Sequence, residues 1–301
     1  MSGYDFRASP FYKLKSKERL ANLLHSTVPA LQAVCVSDSN YRTFSKPKRD
    51  GTLREISSPV YKLKSIQARI AALLKRIEPP AFLYAPVSGR SYVGNAAQHI
   101  GAKSIRLLDL ENFFPNCKFE KVYWFFRRYM DCSPDVAYIL AKLACLDGKL
   151  PQGSPCSPIL AYWSYVDMWS AIARLVERGG CRLTVYADDI TISGDTIPER
   201  MIWEVKQEIR KHGHTVAKSK ERSRRCRAAE VTGVIVNEGR LTAPNRQRQG
   251  LLKTRREMSL ASDPQQVRKL RAQLRGRMAQ FKQIDAGNLA VKGNEPPPPR
   301  P

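Results

Sequence analysis

Two adjacent carboxylates, Asp188 and Asp189, sit in the middle of RLTVYADDITISG at residues 182–194. Leu183, Val185, Ile190 and Ile192 alternate with polar residues on either side of them, the pattern of two short strands joined by a tight turn. Bare negative charge at the tip of an apolar hairpin is costly unless something positive sits there, and a divalent metal ion meets that need. A lone Asp-Asp pair is also an ordinary turn, so its meaning rests on two other stretches. Ser104 to Leu108 forms a short apolar strand running into Asp109. Asp109 either caps the next turn or adds a third carboxylate facing Asp188 across neighbouring strands. LPQGSPCSP at 150–158 sets Gln152-Gly153 in a Pro-bounded loop ahead of a helix. Glycine lets backbone approach a ligand closely, and a helix N-terminus favours phosphate.

The elements that must position these groups can be read along the chain. Residues 17–34 read as one helix with Leu20, Leu23, Leu24, Val28 and Leu31 on one face. Tyr41 to Ser45 and Leu53 to Ile56 flank Asp50-Gly51, a hairpin signal, and the hairpin carries Lys46, Lys48, Arg49 and Arg54. Such cations either discourage edge pairing or reach over a triphosphate; beside the acidic hairpin, the second reading is favoured. A helix at about 60–77 ends at Pro79-Pro80. Residues 87–102 form a loop entering a short helix, with Asn95 as its cap and His99 a satisfied, partly buried histidine. LENFFPNC follows Asp109, then an aromatic-rich helix with Phe119, Val122, Phe126 and Tyr129 on one face. Ser133-Pro134 opens a further helix whose apolar face carries Leu140 and Leu143. A long helix runs from Ser157-Pro158 to Gly179-Gly180, and another spans 198–213. His212 and His214 read as a solvated helix end. Residues 230–242 form a hairpin turning at Asn-Glu-Gly. From Asn245 to Lys282, Val267, Leu270, Leu274, Met278 and Phe281 make an apolar stripe, and Arg268, Arg271 and Arg275 a basic one.

The 301 residues suffice for one large domain or two to three lobes around a cleft. With 51 Lys plus Arg against 27 Asp plus Glu, the formal charge is +24. This excess opposes compaction and points to a polyanion, nucleic acid ahead of an anionic membrane surface. No apolar run approaches the roughly 20 residues of a membrane span, and Met1 to Lys17 has no apolar core of a signal peptide. The seven dispersed cysteines form no CxxC pair, which argues against zinc and disulfides and for a reducing cytoplasm.

Taken in order, the basic hairpin, LDLENFF, LPQGSPCSP, YADD, HG…KSK and VTG resemble the motif series of a reverse transcriptase over roughly residues 40–242. NAAQH at 95–99 and VTG at 231–233 resemble the NAxxH and VTG signatures of the retron branch, and the lack of a maturase or endonuclease extension fits it. The resemblance implies an α+β fold of right-hand polymerase architecture, with fingers, an antiparallel-sheet palm and a helical thumb. The N-terminal helix and fingers would occupy 1–102, the palm 103–242 (with 118–150 belonging to the fingers), the basic thumb 243–290, and a disordered Pro-rich tail 291–301. Asp109, Asp188 and Asp189, with the Leu110 carbonyl, would hold two Mg²⁺ ions. Lys48 and Arg54 would hold the incoming dNTP, Gln152 would pack against it, and Phe113 or Phe114 would exclude a 2′-hydroxyl. Lys220, or else Lys218, would lie near the leaving pyrophosphate. Asn95, His99, Arg268, Arg271 and Arg275 would contact RNA.

The expected function is RNA-directed DNA synthesis on the protein's own structured non-coding RNA, primed from a 2′-hydroxyl. The product would be an RNA-linked single-stranded DNA, and the role antiphage defence beside an effector protein, in the cytoplasm and away from membranes. The alternatives are a group II intron type enzyme and a catalytically spent RNA-binding scaffold. The intact three carboxylates argue against the scaffold.

Overall fold

The computed structural model describes residues 3–37, 39–47 and 51–293. Contacts divide the chain into two units: Met1–Ser88 with Leu110–Arg174 and Glu204–Val216, and Gly89–Asp109 with Leu175–Trp203 and Ala217–Pro301.

The first unit is mainly helical. Its strands are β1 (Tyr41–Pro47), β2 (Leu53–Pro59) and the short β3 (Leu83–Ala85). β1 and β2 pair antiparallel with Thr43 opposite Ser57 and Lys46 opposite Arg54, the basic hairpin expected from the sequence. Helix Tyr61–Leu74 turns Leu63, Ile66, Ile70 and Leu74 inward, and helix Pro134–Ala144 buries Val136, Ala137, Leu140 and Leu143. Between them Gln67 is fully buried yet satisfied. Its Nε2 donates to the Tyr41 hydroxyl at 2.7 Å and the Leu143 carbonyl at 2.8 Å, and its Oε1 accepts from Ser154 Oγ at 2.7 Å. A buried polar group satisfied in this way fixes its neighbours, here the loop carrying Gln152.

Two long helices expected from periodicity are each broken. Residues 17–34 form helices Lys17–Leu23 and Val28–Val36. His25 adopts φ 51°, and Thr27 caps the second helix by accepting from Ala30 N. The stretch from Ser157 splits into Ser157–Trp163 and Val166–Arg178. At the break Tyr165 is buried; its hydroxyl donates to the Asn116 carbonyl at 3.0 Å and accepts from Lys118 N at 3.2 Å. Apolar spacing continues across both breaks, so periodicity alone does not reveal them.

The second unit holds β4 (Ser104–Asp109), β5 (Arg182–Tyr186), β6 (Asp189–Gly194) and β7 (Arg222–Arg225). β6 lies between β5 and β4, and β7 pairs with the far side of β4, all antiparallel. β5 and β6 alternate as expected, with Val185, Ile190 and Ile192 fully buried. β7 was not legible: RSRR has no apolar residue, every position is exposed, and only its ladder to β4 makes it a strand. A second sheet joins β8 (Ala229–Val231), β9 (Val234–Asn237) and β10 (Arg240–Thr242) in antiparallel order. The expected turn after Asn237 links β9 to β10. The turn between β8 and β9 is Thr232-Gly233, with φ of 46° and 85°, which explains why glycine closes the VTG triplet.

Val93, Ala96, Ile105, Val231, Val234, Leu241 and Ile284 form one buried cluster in this unit. Two helices, Asn245–Leu260 and Pro264–Gly293, complete it. Asn288 pins the second to β10, accepting from Leu241 N and donating to its carbonyl. Of the expected apolar stripe, Leu270 is buried and Met278 is exposed. The expected tail begins inside this helix, which runs to Gly293; residues 294–301 lie outside the described residues.

Candidate active site

The chemistry-bearing residues of the second unit meet at one end of its sheet. Register does the work: Asp109, the last residue of β4, lies opposite Asp189, the first of β6. Asp189 in turn lies opposite Tyr186 of β5, so Ala187 and Asp188 form a two-residue turn. Ala187 takes φ 56°, a left-handed conformation that is unfavourable for a residue with a Cβ. The hairpin therefore holds local strain at the point where its carboxylates converge.

Lys220 Nζ contacts both oxygens of Asp109, at 2.9 and 3.2 Å. The Asp109 carbonyl accepts from Ala217 N at 2.8 Å, which brings the segment carrying Lys220 back to the strand end. Asp189 is pushed up to about 7, first by burial and then by the charges of Asp188 and Asp109, while Lys220 opposes the rise. Lys220 itself is raised, chiefly by its hydrogen bond to Asp109. Lys220 is thus the lysine at the carboxylates, and Lys218 is exposed.

The donors fit a magnesium site in kind, being hard oxygens, and crowding at Asp189 disfavours its own ionisation. Among the described residues no three acidic, histidine or cysteine side chains already converge as a metal cluster; both Asp109 oxygens are turned onto Lys220. Leu110 follows with its side chain buried. Its segment bridges to Val216 through Glu111 N and the Thr215 carbonyl, a pairing that leaves the Leu110 carbonyl out of the ladder.

Other expected site residues lie in the first unit. Arg54 is exposed on β2, while Lys48 lies outside the described residues. The Gln152 carbonyl accepts from Ser57 N at 2.8 Å. Gly153 follows at φ 120°, where a Cβ would come within 2.8 Å of the Ser57 carbonyl. Glycine is thus required for the LPQG loop to lie against β2. Arg54, Gln152, Asn112 and Lys149 line a cavity of about 190 Å³. Phe113 is buried, its ring packed edge-on against Trp169 and tilted over His214 at 5.2 Å. Phe114 is only half-buried.

Three expectations are corrected. Asn95 is not a cap: Ser91 caps helix Tyr92–Ala97, and Asn95 is buried within it, donating to Thr232 Oγ1 at 3.3 Å. His99 is fully buried. Its Nδ1 lies 2.7 Å from Ser193 Oγ on β6 and its Nε2 2.7 Å from Thr184 Oγ1 on β5. Neither residue presents a surface to RNA; both are internal struts, and His99 clamps the acidic hairpin. His214, expected in solvent, is buried against Phe113 and Tyr165. The expected RNA-facing residues Arg268, Arg271 and Arg275 are exposed on the last helix.

Two carboxylates facing each other at strand ends, a third at the turn and an adjoining lysine are residue types that nucleotidyl transfer can use. Residues 46–236 match the family model described as reverse transcriptase (RNA-dependent DNA polymerase). The chain belongs to that family. It is similar to the retron Se72 reverse transcriptase of Salmonella heidelberg (strain 579083-10), 31% identical over 64% of this chain and 54% of the relative. It is likewise similar to the retron Mx65 reverse transcriptase of Myxococcus xanthus, 34% identical over 66% and 51%. A third relative is the retron Ec86 reverse transcriptase of Escherichia coli, 30% identical over 54% and 52%. The resemblance to the retron branch drawn from NAAQH and VTG is therefore borne out. The chain spans about half the length of the curated relatives it matches. Among the described residues no helix is long and apolar enough to cross a membrane.

Proposed function

We propose that this chain is an RNA-directed DNA polymerase that copies part of a structured non-coding RNA into DNA. The observation that carries the reading is the strand register placing Asp109 opposite Asp189, with Asp188 at the turn and Lys220 against Asp109. Asp109, Asp188, Asp189 and the Leu110 carbonyl would hold magnesium, which when bound activates the primer hydroxyl and stabilises the departing oxygen. Lys220, held protonated by its carboxylate neighbours, supplies positive charge and a proton at Nζ to the leaving pyrophosphate. Arg54 and Lys48 hold the triphosphate, and Gln152 packs against the nucleotide. Phe114 excludes the 2′-hydroxyl, because the Phe113 ring is already committed to the core.

The assignment extends to lobes: fingers from 1–102 and 118–150, a palm from the remainder of 103–242, and a thumb from residue 243 whose Arg268, Arg271 and Arg275 grip RNA phosphates. By resemblance to the retron branch, the product would be an RNA-linked single-stranded DNA primed from a 2′-hydroxyl, and the role antiphage defence in the cytoplasm with an effector protein.

Asp188→Asn tests the core of this reading, since it keeps shape and removes charge. The variant should fold and bind RNA but lose DNA synthesis by several orders of magnitude, as a lost metal ligand raises the barrier by several kcal/mol. Extension of an annealed primer within about tenfold of wild type would overturn it.

A further inference from the structure

The strand absent from the sequence reading carries dense charge that the site does not use. Arg222, Arg224 and Arg225 lie on β7, Arg227 follows it, and all are exposed. Among the described residues, none of these four guanidinium groups is paired with a carboxylate. Arg222 donates only to the Ser219 and Glu221 carbonyls, and Arg224 only to that of Ser223. Other cations of the same unit have found partners: Arg106 with Glu199 and Glu221, Arg246 with Glu230, and Lys103 with Asp195.

Position gives this charge a use. β7 begins two residues after Lys220, and its register sets Arg222 opposite Leu107, Arg224 opposite Ile105 and Arg225 opposite Ser104. The ridge therefore starts at the carboxylate end of β4 and runs back along the sheet edge for roughly 10 Å, at ~3.4 Å per residue. Residues two apart share a face and stand ~7 Å apart, the order of the interval between adjacent phosphates of one strand. Arginine forks suit phosphate oxygens.

We propose that the β7 edge is a phosphate-binding ridge for the template–product duplex as it leaves the catalytic carboxylates. The inference rests on the polymerase reading, which requires the duplex end to lie at Asp109 and Asp189. A charged edge strand can also serve only to block edge-to-edge pairing. Glutamate would do that as well as arginine, and this separates the two roles.

The experiment is a salt titration of affinity for an RNA template carrying an annealed DNA primer. Arg222→Glu with Arg224→Glu should weaken binding at least tenfold near 0.1 M salt. The slope of log K against log salt should fall by about 1.5, from two lost contacts at roughly 0.7–0.9 each. Arg222→Lys with Arg224→Lys should keep the slope. Should the glutamate pair fail to fold, Arg222→Gln with Arg224→Gln removes the same charges and should lower the slope equally. An unchanged slope in a folded charge-loss pair overturns the ridge. A loss seen on folded RNA alone, with primer–template binding intact, overturns the duplex as its occupant. Binding is read whether or not DNA is made, so a wild-type protein that binds but never extends the primer counts against the polymerase reading and leaves the ridge to be judged on its slope.

Discussion

The hairpin of β5 and β6 carries two polar clusters, and they behave in opposite ways. In its middle, His99 sits between Thr184 and Ser193, both hydroxyls within 2.7 Å. Burial lowers His99 to about 3, so the ring is neutral, and a neutral imidazole donates from one nitrogen and accepts at the other. At its tip, Asp189 is half-buried beside two more carboxylates and raised to about 7. The first cluster is satisfied by uncharged partners and acts as a brace. The second crowds three carboxylates around a single lysine, Lys220.

Removing the brace should have the largest effect on folding. His99→Ala strands two buried hydroxyls and opens a cavity, costing about 2–4 kcal/mol. Denaturant unfolding should show that loss, whereas Asp188→Asn should be neutral or stabilising in chelator. Equal losses in both variants would erase the distinction.

The two clusters should also respond to pH in opposite senses. For His99 the folded value is depressed, so its contribution is complete above about 6.5 and is lost as pH falls toward about 3. For Asp189 the folded value is raised. Below about 4 both states keep the proton; between there and about 7 only the folded state does, so stability falls as pH rises. Asp189→Asn in chelator should therefore gain on wild type between pH 5 and 8. Melting curves with a constant offset across that range would refute the electrostatic account.

Phe114→Ala should produce the smallest stability change, about 1 kcal/mol, because its ring is half-exposed. It should nonetheless relax the preference for deoxynucleotides over ribonucleotides in single-nucleotide incorporation. An unaltered ratio would remove Phe114 from sugar selection.

The acidic end of the sheet was legible because alternation fixes strand faces, and Asp109 and Tyr186-Ala187-Asp188-Asp189 lie where two alternating runs stop. The basic β1–β2 hairpin and the β9–β10 turn were legible for similar local reasons. Tertiary contacts hid the rest. Asn95 reads as a helix cap and His99 as only partly buried until Thr232, Thr184 and Ser193 are brought to them from far along the chain. β7 has no pattern at all, since its strand character is lent by β4. Phe113 and Phe114 are equivalent in sequence, and only the packing of Trp169 and His214 around one of them separates the pair.

The Asp109–Asp189 register has a consequence for which changes in length this chain can absorb. Side chains of a strand change faces with each residue, so inserting one residue into β4 ahead of Asp109 would rotate its carboxylate to the opposite face. The sheet could still pair and the apolar core could still close after local repacking. An added residue in the β9–β10 turn moves neither Asp109 nor Asp189, so that turn is open to drift. The candidate site in this sense behaves like a reading frame: parity along β4 and β6, more than the identity of the neighbouring side chains, decides whether Asp109 faces Asp189.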